Sequence, residues 1–171
     1  LEEGQSLYEI LEEIGEAPLP SALQRTAEPI DRERYQTVYA KRWGRTLVSD
    51  GGIHLTPYIL KQLELQDVSM PVITAHSSLN MLRSLAIQDL SRHTLHSEYF
   101  EISEKAAHSM NMSMARKKKV CAVGVCTLKA LESAIGGERK VRSMKGWTNK
   151  FIYPPYEPSI VDALLTNLHS P

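Results

Sequence analysis

The sequence predicts an α/β fold, a mixed sheet with flanking helices, on three observations. Short apolar or alternating runs at 69–75, 97–102, 120–124 and 150–153 recur between segments of helical spacing. Polar residues gather just beyond three of those runs, at His76-Ser77-Ser78, at Gly124 to Thr127 and at Tyr153 to Tyr156. Open α/β sheets present their ligand sites there, beyond the carboxyl ends of strands. Finally, 171 residues with 42% hydrophobic and 23% charged content suit one domain with its own core.

The elements follow in order. Leu7, Ile10, Leu11 and Ile14 have helical spacing, and Gly15 supplies the stop. Pro18 and Pro20 force an extended linker. Asp31 can cap a short helix through Tyr39, and Thr56-Pro57 is a start signal for a helix to about Gln66. Residues 69–75 read as a buried strand ending at His76, and 97–102 alternate like a strand. Ser103 and Glu104 open a helix that ends near the Arg116–Lys119 run. Residues 120–124 form a second buried strand, with a helix over 127–134 broken at Gly136-Gly137. A further strand starts over 150–153, and a proline-locked aromatic turn leads to the next extended segment.

Several function classes fall away. No apolar run approaches the length that crosses a bilayer, and the start carries no signal-peptide pattern. Cys121 and Cys126 share one apolar segment and do not read as a disulfide framework, so a reduced, cytoplasmic protein is expected. The net charge is zero but unevenly placed. Residues 1–33 hold nine acidic residues against Arg25 and Arg32, whereas 116–150 hold ten basic residues against Glu132 and Glu138. A basic face on a neutral protein suits a polyanion such as RNA; solvated helix ends are the plainer reading.

Candidate chemistry concentrates in a few places. In the run from Phe151 to Pro171, Asp162, Asn167 and His169 lie among Val161, Leu164, Leu165 and Leu168. Burying them would be costly without designed partners, so the run points to a site. His93 and His96 are three apart, but no Cys pair or His-Glu-x-x-His pattern completes a metal set, and no metal is expected. Cys126 follows Gly124-Val125 where strand meets helix; a helix N-terminus can lower a thiol pKa, yet without a visible base it reads as structural. Asp50-Gly-Gly-Ile-His-Leu-Thr permits backbone approach to an anion but lacks dinucleotide or P-loop spacing.

Taken in order, these segments resemble the bacterial S-adenosylmethionine:tRNA ribosyltransferase-isomerase family of queuosine biosynthesis. The resemblance is carried by Arg34-Tyr-Gln-Thr-Val-Tyr39, Gly52-Ile-His54, Thr74-Ala-His76, His96-Ser-Glu-Tyr99, Ala122-Val-Gly124, Leu131-Glu-Ser133, Phe151-Ile-Tyr-Pro154 with Tyr156, and Val161-Asp-Ala-Leu164 with Thr166-Asn167 and His169. It implies the main α/β domain of the family over residues 1–171, a partial chain lacking the N-terminal portion with its inserted β-barrel and the C-terminal end. It also implies transfer and isomerisation of the ribosyl group of S-adenosylmethionine, as co-substrate, onto a deazaguanine base in tRNA, giving epoxyqueuosine without a metal. By position it implies catalytic roles for His76, Glu98, Asp162 and His169. Substrate contacts would come from His54, Ser77, Ser78, His96, Gly124, Cys126, Thr127, Lys129, Tyr153, Tyr156 and Asn167.

The departures from the family pattern fall in the loops expected to hold substrate. Val48-Ser-Asp-Gly-Gly-Ile-His-Leu55 stands for Ala-Pro-Thr-Ala-Gly-Leu-His-Phe, and His76-Ser-Ser-Leu-Asn-Met-Leu82 for His-Val-Gly-Ala-Gly-Thr-Phe. Ser78 and Asn80 thereby replace two glycines and their backbone freedom. Gly124-Val-Cys-Thr-Leu-Lys129 stands for Gly-Thr-Thr-Ser-Val-Arg, exchanging a forked guanidinium for a point charge. Tyr153-Pro-Pro-Tyr156 stands for Tyr-Pro-Gly-Tyr. This pattern suggests a diverged paralogue, and the alternative function is a non-catalytic relative that binds RNA through its basic face.

Overall fold

The computed structural model describes residues 6–20, 23–42, 44, 48–76 and 95–167. The chain divides into two compact units, Leu1–Gln36 and Thr37–Pro171.

In the first unit, α1 (Leu7–Ile14) opens with a complete capping box: Ser6 Oγ accepts the Glu9 N–H, and Glu9 Oε2 accepts the Ser6 N–H. Its apolar stripe of Leu7, Leu11 and Ile14 is exposed. The expected helix from Asp31 stops early, as α2 (Asp31–Arg34), because Tyr35 leaves the helical region at φ −94°, ψ 51°. Asp31 does not cap it. Its buried carboxylate instead accepts a forked bond from Arg25 at 2.6 and 2.8 Å and the Glu28 N–H at 2.8 Å. Those bonds, the guanidinium's first, hold the Asp31 carboxyl at about 2.

The second unit begins with α3 (Asp50–Ile53), a turn of helix the sequence did not announce, and α4 (Pro57–Leu65). Thr56 Oγ1 caps α4 by accepting the Ile59 N–H, with Pro57 in the first turn as expected. β1 (Thr74–Ala75) is much shorter than the expected 69–75 run, since Pro71 has no N–H for a ladder. β2 (Glu98–Ile102), α5 (Glu104–Ala115), β3 (Cys121–Val123) and α6 (Val125–Ser133) lie close to their expected positions. The expected strand over 150–153 is not formed. It lies earlier, as β4 (Met144–Thr148), and Thr148 Oγ1 accepts the Lys150 N–H where the chain turns away. β5 (Ala163–Leu165) follows a turn containing the cis Pro154–Pro155 bond.

Helices and strands mix as expected, in two small sheets. β1, β2 and β4 form an antiparallel sheet in the order β1-β2-β4, and β3 pairs with β5 in parallel. β2 buries alternate residues, Glu98, Phe100 and Ile102, because strand side chains alternate between faces. Phe100 and Ile102 meet Ala106, Ala107 and Met110 of α5 and Leu128, Ala130 and Leu131 of α6 in one core cluster. Removing a side chain such as Phe100 or Leu131 from water contributes about 1.5–3 kcal/mol. Among the described residues no helix is long and apolar enough to cross a membrane.

Candidate functional site

The site is organised by the two faces of β2. The residue after β1, His76, donates its backbone N–H to the Tyr99 carbonyl at 2.9 Å and so continues the ladder. Its ring stacks on Tyr99, with centroids 5.8 Å apart, and Tyr99 meets Trp147 of β4 edge-on at 5.6 Å. His76 Nδ1 is buried and has no hydrogen-bond partner among the described residues. On the opposite face, Glu98 is buried against Lys129 of α6, whose Nζ donates to Glu98 Oε2. The side chains are only 6% and 8% exposed, so each charge compensates the other away from bulk water. The structure therefore brings Glu98 and Lys129 together and sets His76 across the sheet from them.

A second cluster forms where β3 ends and α6 begins. Gly124 takes φ +87°, and a Cβ there would fall 2.4 Å from Ser49 Oγ, so both conformation and space require glycine. Its N–H donates to the Leu165 carbonyl at 2.9 Å, tying this turn to β5, two residues before Asn167. Thr127 Oγ1 donates to the Val123 carbonyl at 2.7 Å and Cys126 is buried. Asp162 Oδ2 accepts the Val120 N–H at 2.7 Å, which splices the entries of β3 and β5. Gly51 and Gly52, read as room for an anion, are filled by protein. Cβ atoms there would lie 2.5 Å from the Leu165 carbonyl oxygen and 2.1 Å from Tyr39 Oη.

The aromatic turn is anchored by Glu132, which the sequence placed in the Leu131-Glu-Ser133 segment but not among the site candidates. Glu132 of α6 is buried and accepts Tyr156 Oη at 2.6 Å, the Ser159 N–H at 3.0 Å and the Ile160 N–H at 3.3 Å. Burial raises the Glu132 carboxyl, but these donors outweigh it and hold the group below its ordinary value. Burial, reinforced by the carboxylate, pushes Tyr156 up to about 12. Tyr156 is thus committed to Glu132, while Tyr153 packs against Phe151 in a tilted pair with ring centroids 4.9 Å apart. A glutamate within an apolar helix face was the available signal.

The remaining candidates are scattered. His54, His96 and Asn167 are exposed, and Ser77, Ser78 and His169 lie outside the described residues. Among the described residues no three His, Cys, Asp or Glu side chains gather as metal ligands. Arg116 to Lys119 are exposed, at the C-terminal end of α5.

Comparisons with known proteins bear on the family of the chain. The family model for "Queuosine biosynthesis protein" matches residues 1–171. S-adenosylmethionine:tRNA ribosyltransferase-isomerase of Amoebophilus asiaticus is 40% identical over 167 residues, 98% of this chain and 48% of that protein. The protein of the same name from Cytophaga hutchinsonii is 37% identical with the same coverage. The crystal structure of S-adenosylmethionine tRNA ribosyltransferase from Thermotoga maritima aligns at a TM-score of 0.55 and 26% identity, over 71% of this chain and 37% of that one. The chain spans about half the length of the curated relatives it matches. With the family model matched from end to end, the chain belongs to the queuosine biosynthesis protein family.

Proposed function

We propose that the chain is the α/β portion of an S-adenosylmethionine:tRNA ribosyltransferase-isomerase, acting in the cytoplasm on a deazaguanine base of tRNA to give epoxyqueuosine. The observation that carries the reading is identity of 35–40% along nearly the whole chain to enzymes of that name. S-adenosylmethionine would be the ribosyl donor, adenine and methionine leaving as the ribose is rearranged. Such a reaction needs proton donors and acceptors close to the sugar and to the departing adenine.

Among this chain's residues, His76 suits that work best. It follows a strand end, its ring is held by Tyr99, and its buried Nδ1 has no partner among the described residues. Glu98 and Lys129 would support the site indirectly, fixing β2 to α6. The turn at Gly124, with its positive φ and its link to Leu165, would bring the start of α6 beside the Asn167 segment.

Adenine release, followed by liquid chromatography, tests the reading. The full-length protein carrying this chain should release adenine only when S-adenosylmethionine and tRNA bearing the aminomethyl-deazaguanine base are both present. His76→Ala should lower the rate by about 10²–10⁴-fold, with unchanged circular dichroism. No adenine, beside an active enzyme of the family, would leave the non-catalytic RNA-binding relative as the better reading.

A further inference from the structure

We infer that the outer face of the β1-β2-β4 sheet is a stacking surface for an unpaired RNA base, with Trp147 as its open ring and Lys145 beside it for the adjoining phosphate. This rests on the tRNA reading above and assigns that partner a place of contact.

Trp147 is 69% exposed, a large apolar ring left in water in the middle of a strand. It is not an isolated surface residue. The register pairs it directly with Tyr99, which in turn stacks on His76, so three rings form a row across three adjacent segments of one face. The Tyr99 hydroxyl contacts Glu101 at 3.4 Å, and the row is therefore pinned at its centre. Aromatic rings on a sheet face, presented at strand spacing, suit bases that have left a duplex.

The charges beside the row select the occupant. Glu101 pairs across the sheet with Lys145 and accepts both Arg42 at 2.6 Å and Lys145 at 3.1 Å. Two cations on one carboxylate leave a surplus positive charge, and Lys145 remains 69% exposed. The wider window 116–150 carries ten basic residues against two acidic ones. A purely apolar partner would leave these side chains desolvated, whereas a nucleotide matches ring to ring and phosphate to ammonium.

The test uses tryptophan emission of the full-length protein with Trp43 and any tryptophan outside this chain replaced by Phe, so that the signal comes from Trp147 alone. An anticodon stem–loop RNA should quench it, and a fully paired duplex of the same length should not. Trp147→Ala should raise the Kd for the stem–loop about tenfold, while Trp147→Phe, which keeps a ring, should stay within about threefold of the parent. Abasic loop nucleotides should weaken the parent but cost the Trp147→Ala protein nothing further. Unchanged emission and equal affinity of parent and Trp147→Ala, with the stem–loop still bound, would overturn the stacking surface and leave tRNA as partner. If the parent bound no RNA at all, the tRNA reading would fall with it. Emission that changed with protein concentration alone would overturn the inference in favour of a contact between copies.

Discussion

The two faces of β2 differ by one residue in register and by nearly everything in physical character. Phe100 and Ile102 on the inner face are 1% exposed and touch α5 and α6 through the core, beside the buried Glu98–Lys129 pair. On the outer face Tyr99 and Glu101 meet rings and cations, and their partners across the ladder, Trp147 and Lys145, stand in solvent. The lesson is that period-two alternation lets five residues hold a domain together and also present a chemical surface. Substitutions should therefore separate stability from recognition along a single strand.

The largest effect should come from the inner face. Phe100→Ala should cost about 3–5 kcal/mol in urea unfolding, since it leaves a cavity among α5 and α6. Trp147→Ala, a few ångströms away on the outer face, should change stability by no more than about 0.5 kcal/mol. Comparable losses at both positions would erase the distinction between the faces.

Lys129→Met comes next. It leaves Glu98 buried without its cation and should destabilise by about 3 kcal/mol, near the lower end for a broken buried pair. Adding Glu98→Gln should recover most of that loss. A double variant as unstable as the single one would show that the charges matter to folding beyond their mutual compensation.

A smaller, pH-dependent effect belongs to the Glu132 anchor. Tyr156 titrates above its ordinary value of 10, at about 12, so the folded state favours the protonated phenol. Its contribution is fully present below pH 10 and is lost as pH rises from 10 to 12. Tyr156→Phe should cost about 1.5 kcal/mol at pH 7 and should flatten this alkaline loss. Parent and variant curves that stayed parallel from pH 9 to pH 12 would remove Tyr156 as the titrating group.

Much of this was legible in the sequence where the signal is local. Thr56-Pro57 and Ser103 marked helix starts because a side-chain oxygen can satisfy an N–H three residues on. The ends of α4 and α5 also fell where expected, near Gln66 and the Arg116–Lys119 run, although without the glycine that usually marks such a stop. α4 and α5 stop in Schellman turns with Asp67 and Lys117 at positive φ, positions where glycine is the usual sign. β4 was missed because Met-Lys-Gly-Trp-Thr shows no apolar alternation, its outer positions being Lys145 and Trp147.

The sequence by itself determined the α/β class, the family and the residue types a site could use, since periodicity, caps and motif order are properties of neighbours along the chain. Only the tertiary structure decided which of those residues meet. Lys129 and Glu98 are 31 positions apart and Tyr156 and Glu132 are 24 apart, and their pairing depends on how α6 lies against β2 and the aromatic turn. The same holds for His76, Tyr99 and Trp147, whose row exists because strand register, set by long-range hydrogen bonds, aligns side chains that share no local pattern.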